Sequence, residues 1–369
     1  MFDPKIWGQV PFHFWTLCFF VFGSVVGSFL NVCIYRLPRG ESVVHPASHC
    51  PHCGYSIPWH LNIPLVTWLW LRARCAHCGR PISIRYFLVE LLTGTVFALC
   101  WLRFGPAWAG QAMVYCLFIA GLIAATFIDF EHFIIPDEIT VGGMVAGFLL
   151  AFFVPGTHRL FPFLPPAQHP GPGMRESALG MVIGAALVYG ILRAGKLLFG
   201  RYKLQLEPRS RIVFTESSLQ LPAQNIPYED IFYRSSDTIR LQAERVELVD
   251  RCYSQVEVRL KPKLLRIGQD TFEPRDVPHL EAVAGQIVLP REAMGLGDVK
   301  FMAAIGAFLG WPAVVFSLAF SSVIGSIVGV TLILTRKRDW SSRLPYGPYI
   351  ALAAVIWIFG GWVWVRGIL

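Results

Sequence analysis

The chain has 369 residues, 54% of them hydrophobic and 15% charged, with a formal net charge of +8 and a mean hydropathy of +0.51. Soluble domains average about 25% charged residues, so this composition argues against an ordinary cytosolic enzyme. It also excludes a disordered chain, a collagen and a small disulfide scaffold. Twelve Trp, 11 Tyr and 28 Phe add apolar rings that favour bilayer interfaces, and the first reading is a multi-span membrane protein.

Charge is unevenly distributed. Residues 200–294 hold 14 Lys and Arg against 14 Asp and Glu, whereas the other 274 residues hold 18 basic and 10 acidic groups. A balanced, soluble insertion is therefore joined to a charge-poor membrane body that carries the whole excess. The basic surplus flanks apolar segments, which fits positive-inside anchoring against membrane lipid and not a nucleic-acid partner.

Spanning a bilayer takes about 20 apolar residues. In chain order the candidate spans are residues 12–35, 86–102, 111–129, 139–154, 177–199, 298–310, 312–334 and 346–365. The first lacks a basic leader and a clear cleavage site, so it is expected to be retained as a span. Trp311-Pro312 favours two helices over one long kinked segment in the 298–334 region. The proline-rich stretch 155–174 is expected to be an extended external connector.

Arg36, Arg39, Arg72, Arg74, Arg80 and Arg85 follow the first span, and Arg336, Lys337, Arg338 and Arg343 follow the seventh. This distribution places those loops and the insertion in the cytoplasm, with both termini outside. The expected architecture is an all-α polytopic membrane protein of about eight transmembrane helices. A zinc-ribbon-like loop and a small β-rich insertion, both cytoplasmic, complete it. The expected divisions are 1–36 (first helix), 37–85 (zinc-binding loop), 86–199 (helices two to five), 200–290 (insertion) and 291–369 (helices six to eight). Within the insertion, apolar and polar residues alternate over 203–206, 240–248 and 255–260, the pattern of half-buried strands.

Nine cysteines divide by context. Cys18, Cys33, Cys100 and Cys116 lie in or near apolar spans and read as packing residues, and Cys252 is a lone thiol in the insertion. The remaining four form Cys50-Pro-His-Cys53-Gly and Cys75-Ala-His-Cys78-Gly. In each knuckle the turn brings two thiolates together and the glycine permits a left-handed backbone. Two knuckles make a closed tetrahedral site suited to structural Zn²⁺. His49, His52 and His77 stand close enough to substitute as ligands. Two disulfides are the alternative, disfavoured by a reducing cytoplasm.

Acidic residues within spans are costly and need a reason. Asp129 ends the long apolar run of the third span, and Asp298 opens the sixth in Gly295-Leu296-Gly297-Asp298-Val299-Lys300. The topology brings both to the same side and depth. Two carboxyls held close in a poorly hydrated site share a proton: one stays protonated while the other activates water. Gly295 and Gly297 would let a substrate backbone approach. Helix-end or capping roles remain the plainer alternative for each aspartate alone. Glu90, the third candidate, is expected to pair with a nearby arginine.

These residues resemble the bacterial type IV prepilin peptidases, membrane aspartic proteases with a Gly-x-Gly-Asp motif. The matching blocks are Gly27-Ser28-Phe29-Leu30-Asn31-Val32 with Arg36-Leu37-Pro38, the two knuckles, and Ile128-Asp129 with Ile135-Pro136-Asp137. They continue with Gly295 to Lys300 and with Pro345-Tyr346-Gly347-Pro348-Tyr349. The resemblance covers about 1–199 and 290–369 and departs from the ordinary family pattern at the insertion. It implies removal of the leader of prepilins and pseudopilins at the cytoplasmic face of the inner membrane. Asp129 and Asp298 would be the catalytic pair, with Gly295, Gly297 and Lys300 in support. It further implies N-methylation of the new N-terminal residue from S-adenosylmethionine, and Zn²⁺ on Cys50, Cys53, Cys75 and Cys78. No glycine-rich fingerprint for the methyl donor is visible, so its site is unassigned. The insertion, whose partner is unknown, would position the substrate or gate the site, or serve as a passive module or dimer contact. A peptidase without methylation is the near alternative. A transporter or assembly scaffold is the distant one, and it would place charges near the bilayer midplane.

Overall fold

In the computed structural model, residues 11–158, 169–199, 201–222, 224–232, 237–290, 295–335, 344–361 and 363 are described. Each apolar segment forms a helix: α1 (Phe12–Arg36), α2 (Ile84–Phe104), α3 (Ala109–His132), α4 (Asp137–Phe153), α5 (Pro170–Phe199), α6 (Leu296–Leu309), α7 (Trp311–Leu334) and α8 (Gly347–Ile356). Of these, α1, α2, α3, α5 and α7 are long and apolar enough to cross a membrane. The other three are shorter, α4 with 17 residues, α6 with 14 and α8 with 10. A π turn, Trp357–Gly361, continues α8.

Large apolar side chains face outward on the long helices, among them Phe22 of α1, Val182 of α5 and Ile327 of α7. Such continuous apolar surface is costly in water and costs nothing in lipid, so the chain is a multi-pass membrane protein.

The chain divides into two compact units, Met1–Val188 with Leu296–Leu369, and Tyr189–Gly295. In the first, polar contacts gather at two opposite helix ends. At one end, Asn31 near the end of α1 donates to Tyr86 O at the start of α2, and Arg85 pairs with Glu131 at the end of α3. Lys300 at the start of α6 pairs with Asp137 at the start of α4. At the other end, Gln111 and Tyr115 donate to the carbonyls of Gly156 and Thr157, and Ser177 donates to Ala307 O. Consecutive helices therefore run up and down.

Helix α6 sits innermost, with Phe301 through Leu309 buried. It packs backbone to backbone against α5: a methyl group on Gly180 would lie 2.2 Å from Gly306 O. Only glycine at both positions allows that approach. Gly310 (φ 80°) breaks the chain before α7, whose second residue is Pro312. The 155–174 stretch is not all an extended connector. Pro155–Thr157 forms a 3-10 turn, and residues 170–174 belong to α5, because proline fits the first turn of a helix, where its missing N–H is not needed. Residues 159–168, and Arg336, Lys337, Arg338 and Arg343, lie outside the described residues.

The second unit holds a single eight-stranded antiparallel sheet in the order β3-β2-β1-β8-β4-β5-β6-β7. Its strands are β1 (Arg201–Phe214), β2 (Ser218–Leu221), β3 (Gln224–Pro227), β4 (Ile239–Glu247), β5 (Cys252–Lys261), β6 (Leu264–Ile267), β7 (Asp270–Phe272) and β8 (Leu280–Pro290). One face buries Ile212, Leu241, Val258, Ile267 and Ile287 in a common core. The central strand β8 pairs with β1 and β4. Its buried positions include the small Ala282 and Ala284, so large-residue alternation does not mark it in the sequence.

Candidate active site

Asp129 lies in the last turn of α3, which closes on Phe133 in the left-handed conformation (φ 55°) with its N–H bonded to Asp129 O. The chain then reverses through Ile134 and Ile135, and Pro136 opens α4. Asp129 is 6% exposed. Its Oδ2 accepts the N–H of Gly347, the first residue of α8, at 2.9 Å. The first N–H groups of a helix have no partner within it, so this carboxylate satisfies an orphan donor at a helix N-terminus. A methyl group on Gly347 would lie 2.8 Å from Asp129 Oδ2 and 3.2 Å from Ile135 Cδ1. Glycine at 347 is a requirement of this contact. Tyr346, beside it, is tied to α7 by its hydroxyl, 3.0 Å from both Ser321 Oγ and Ser322 Oγ.

Asp298 occupies the first turn of α6, where a carboxylate is favoured by the helix dipole. It is half-buried, and Gly295 before it is exposed. Gly297 packs on Ile135: a methyl group there would lie 3.5 Å from Ile135 Cβ. Ile135, 8% exposed, is thus wedged between the neighbour of Asp298 and the partner of Asp129. Lys300, one turn into α6, donates to Asp137 Oδ1 and Oδ2 at 2.6 and 2.8 Å. That pair locks the start of α6 to the start of α4. Glycine 347 and Ile135 were present in the quoted motifs, but no spacing rule links them to Asp129.

The four knuckle cysteines converge: the Sγ atoms of Cys50, Cys53, Cys75 and Cys78 all lie within 4.8 Å of one another. Each knuckle repeats the same backbone bonds, Gly54 N–H to Cys50 O and Gly79 N–H to Cys75 O, with φ near 70° at both glycines. A tetrahedral ion with Zn–S of about 2.3 Å needs sulfurs roughly 3.8 Å apart, and Cys50 and Cys78 stand at 3.9 Å. The donor set therefore fits a divalent soft-to-borderline ion. Backbone N–H groups of Cys78 and His77 pull the Cys75 thiol down, while hydrogen bonds from the neighbouring thiols push Cys53 up. His77 stacks on Tyr55 and His52 bonds Arg80.

Glu90 departs from expectation. It makes no ion pair among the described residues; it is 8% exposed and its Oε2 accepts the N–H of Leu65 at 2.7 Å. Leu65 has φ 62°, a strained conformation for a branched side chain, which the carboxylate helps to hold. Two arginines that looked available are engaged elsewhere. Arg36 donates to Ser42 O and Pro46 O, and Arg85 to Glu131.

Fold and site together define a multi-pass membrane protein with acidic residues placed at one end of its helical bundle. Residues 21–104 match the Bacterial Peptidase A24 N-terminal domain, and residues 116–204 and 279–330 match the Type IV leader peptidase family. The chain belongs to the type IV leader peptidase family. It is similar to the "Prepilin leader peptidase/N-methyltransferase" of Myxococcus xanthus, 52% identical over 133 residues, or 36% of this chain and 39% of that one. It is also similar to proteins of the same description from Dichelobacter nodosus and Aeromonas hydrophila. The first is 35% identical over 50% of this chain and 68% of the relative, the second 27% identical over 94% and 92%. The last alignment runs through the insertion. No solved structure matches the chain.

Proposed function

We propose that the protein cleaves the leader peptide of type IV prepilins and pseudopilins and then N-methylates the exposed terminal residue. The observation that carries the first step is the wedge around Ile135, which links Asp129, held by Gly347, to the start of α6 at Asp298. In this reading both carboxyls face one scissile peptide at the membrane surface. One keeps a proton and polarises the carbonyl; the other takes a proton from the attacking water and passes it to the leaving amine. Gly347 immobilises Oδ2 of Asp129, which leaves Oδ1 for proton transfer. Gly295 and Gly297 give the substrate backbone access, and Lys300 positions Asp298 through Asp137.

The relatives' names support the second step. When bound, S-adenosylmethionine would supply an electrophilic methyl group on a positive sulfur to the amine of the new terminus. The chain's own residues bind the donor and align the new terminus.

The same reading takes all eight helices α1 to α8 as spans, the shorter α4, α6 and α8 included, since the ends alternate, with the knuckle loop and the insertion on the cytoplasmic face of the bacterial inner membrane. The knuckle loop, residues 37–85, is a zinc-ribbon-like element whose Zn²⁺ on Cys50, Cys53, Cys75 and Cys78 is structural. The insertion lies between the fifth and sixth spans. The deciding experiment incubates the purified protein with a prepilin, with and without S-adenosylmethionine, and reads intact mass. Leader loss in both arms and one added methyl group in the second are expected. An unprocessed prepilin would overturn the peptidase, and a processed but unmethylated product the transferase.

A further inference from the structure

The insertion carries 14 basic and 14 acidic residues over 200–294, yet its sheet does not spread them evenly. Strand register sets Lys203 opposite Val288, Val288 opposite Arg240, Arg240 opposite Arg259, and Arg259 opposite Arg266. Facing residues of neighbouring strands point to the same side of a sheet. The adjacent row, Leu204, Ile287, Leu241, Val258 and Ile267, lies in or against the core. The cationic row therefore stands on the outer face, with Lys203 and Arg266 exposed and Arg240 and Arg259 half-buried. Lys261 at the end of β5 and Lys263 in the turn to β6 are exposed as well.

One carboxylate answers this row among the described residues. Glu257 accepts from Arg259 Nε and Nη2, both at 2.7 Å. Those bonds first, and the charges of Arg240 and Arg266 after them, hold its carboxyl below the usual range. Arg266 gives its Nε to Gly268 O, and neither Lys203, Arg240 nor Arg266 has an ion pair among the described residues. The neighbouring exposed positions Gln205, Gln242 and Gln286 are neutral. Elsewhere on the sheet cations are matched, Arg211 by Glu281 and Arg245 by Glu247. Like charges on facing positions repel, so four cations with one carboxylate cost stability unless an anionic surface meets them.

We propose that this face of the insertion docks on an anionic phospholipid surface. Connectivity keeps the row close to a bilayer. Lys203 stands four residues beyond Phe199, the end of α5, and four residues reach about 14 Å at most. Helix α5 is itself long and apolar enough to cross a membrane. Each Lys or Arg near an anionic leaflet is attracted to it over a Debye length of about 8 Å. An interface with a folded protein is built round apolar or aromatic anchors, and this row offers Val288 alone. The small cavity at the row, about 100 Å³, is lined by Glu257, Arg259, Arg266 and Gly268 and has no apolar side chain in its wall. The contact holds the insertion against lipid headgroups without help from a partner protein. It depends on the chain being a membrane protein and not on what the chain cleaves or methylates.

The test places the full-length protein in nanodiscs of phosphatidylcholine alone and of phosphatidylcholine with phosphatidylglycerol. Acetylation of Lys203, Lys261 and Lys263 by an uncharged reagent is followed by peptide mass. Lys300, held by Asp137 outside the insertion, reports any slowing that anionic lipid causes at lysines in general. In the anionic discs the three insertion lysines are expected to react about fivefold or more slowly than in the neutral discs. Raising salt from about 50 mM to about 1 M should remove that difference. A variant carrying Arg240→Gln and Arg266→Gln keeps the Arg259 pair with Glu257 and relieves repulsion within the row, so it is expected to fold as wild type does. Its protection should fall about twofold or more. Equal rates in the two discs would overturn the proposal and leave the row to an acidic protein. Slowing no greater than that of Lys300, or a double variant protected as fully as wild type, would overturn it as well.

Discussion

The backbone N–H of Gly347 meets Asp129 Oδ2 at 2.9 Å, although the two residues are 218 positions apart. The contact lets one carboxylate close the N-terminus of α8 and ties the last helix to the end of α3. It also explains why the Tyr346-Gly347-Pro348 turn has a glycine in its middle. Proline at 348 brings no N–H of its own, so Gly347 is the donor that needs an acceptor.

In the proposed reading, replacing either aspartate removes a proton-handling group while preserving shape. Asp129→Asn and Asp298→Asn are each expected to abolish leader removal in vesicles, with the protein still extracted as a folded species. Ordinary cleavage by either variant would remove that residue from the reaction.

Gly347→Ala places a methyl group against Asp129 Oδ2 and Ile135 Cδ1. The carboxylate has to move, and if Asp129 is catalytic as proposed, a small misplacement costs about 10²-fold in rate. The expected result is a fall in kcat of that order with little change in KM, measured on a purified prepilin. An unaltered kcat would show that the Gly347 contact only caps the helix.

Metal removal is expected to act unequally on the two activities. The contacts of Asp129 described are with Gly347 and not with any cysteine of the cluster. Cys50→Ser or Cys75→Ser should therefore release zinc, read by elemental analysis, and harm methylation at least as much as leader removal. Loss of cleavage with methylation of pre-processed pilin intact would show that the metal serves the peptidase.

His158 supplies a pH dependence outside the spans. It is fully buried beside Ala307 O, and burial pushes its pKa down to about 4, against the raising effect of the Ala307 and Pro155 carbonyls. The folded protein therefore holds it neutral while the unfolded chain protonates it near 6.5. Its contribution is fully present above about pH 6.5 and is lost progressively as pH falls towards 4. Thermal unfolding in detergent should show that loss, and His158→Gln should flatten it. An equal slope in the variant would assign the acid sensitivity elsewhere.

Much of the architecture was legible because it depends on local pattern. Apolar runs specified the helices, since the hydrocarbon interior admits little else, and Cys-x-x-Cys-Gly specified the knuckles, since the glycine conformation and thiol spacing are set within five residues. Alternation marked β4 and β5, but not β8, whose small buried alanines carry too little hydrophobic signal. The sequence by itself also singled out Asp129 and Asp298 as costly groups in a charge-poor body. Which groups surround them was a matter for tertiary structure alone: the Gly347 donor and the Ile135 wedge join segments with no shared periodicity. Glu90 shows the same limit from the other side. A span carboxylate near several arginines suggests an ion pair, yet helix packing turned it towards Leu65 N–H, because the arginines were already committed to carbonyls and to Glu131.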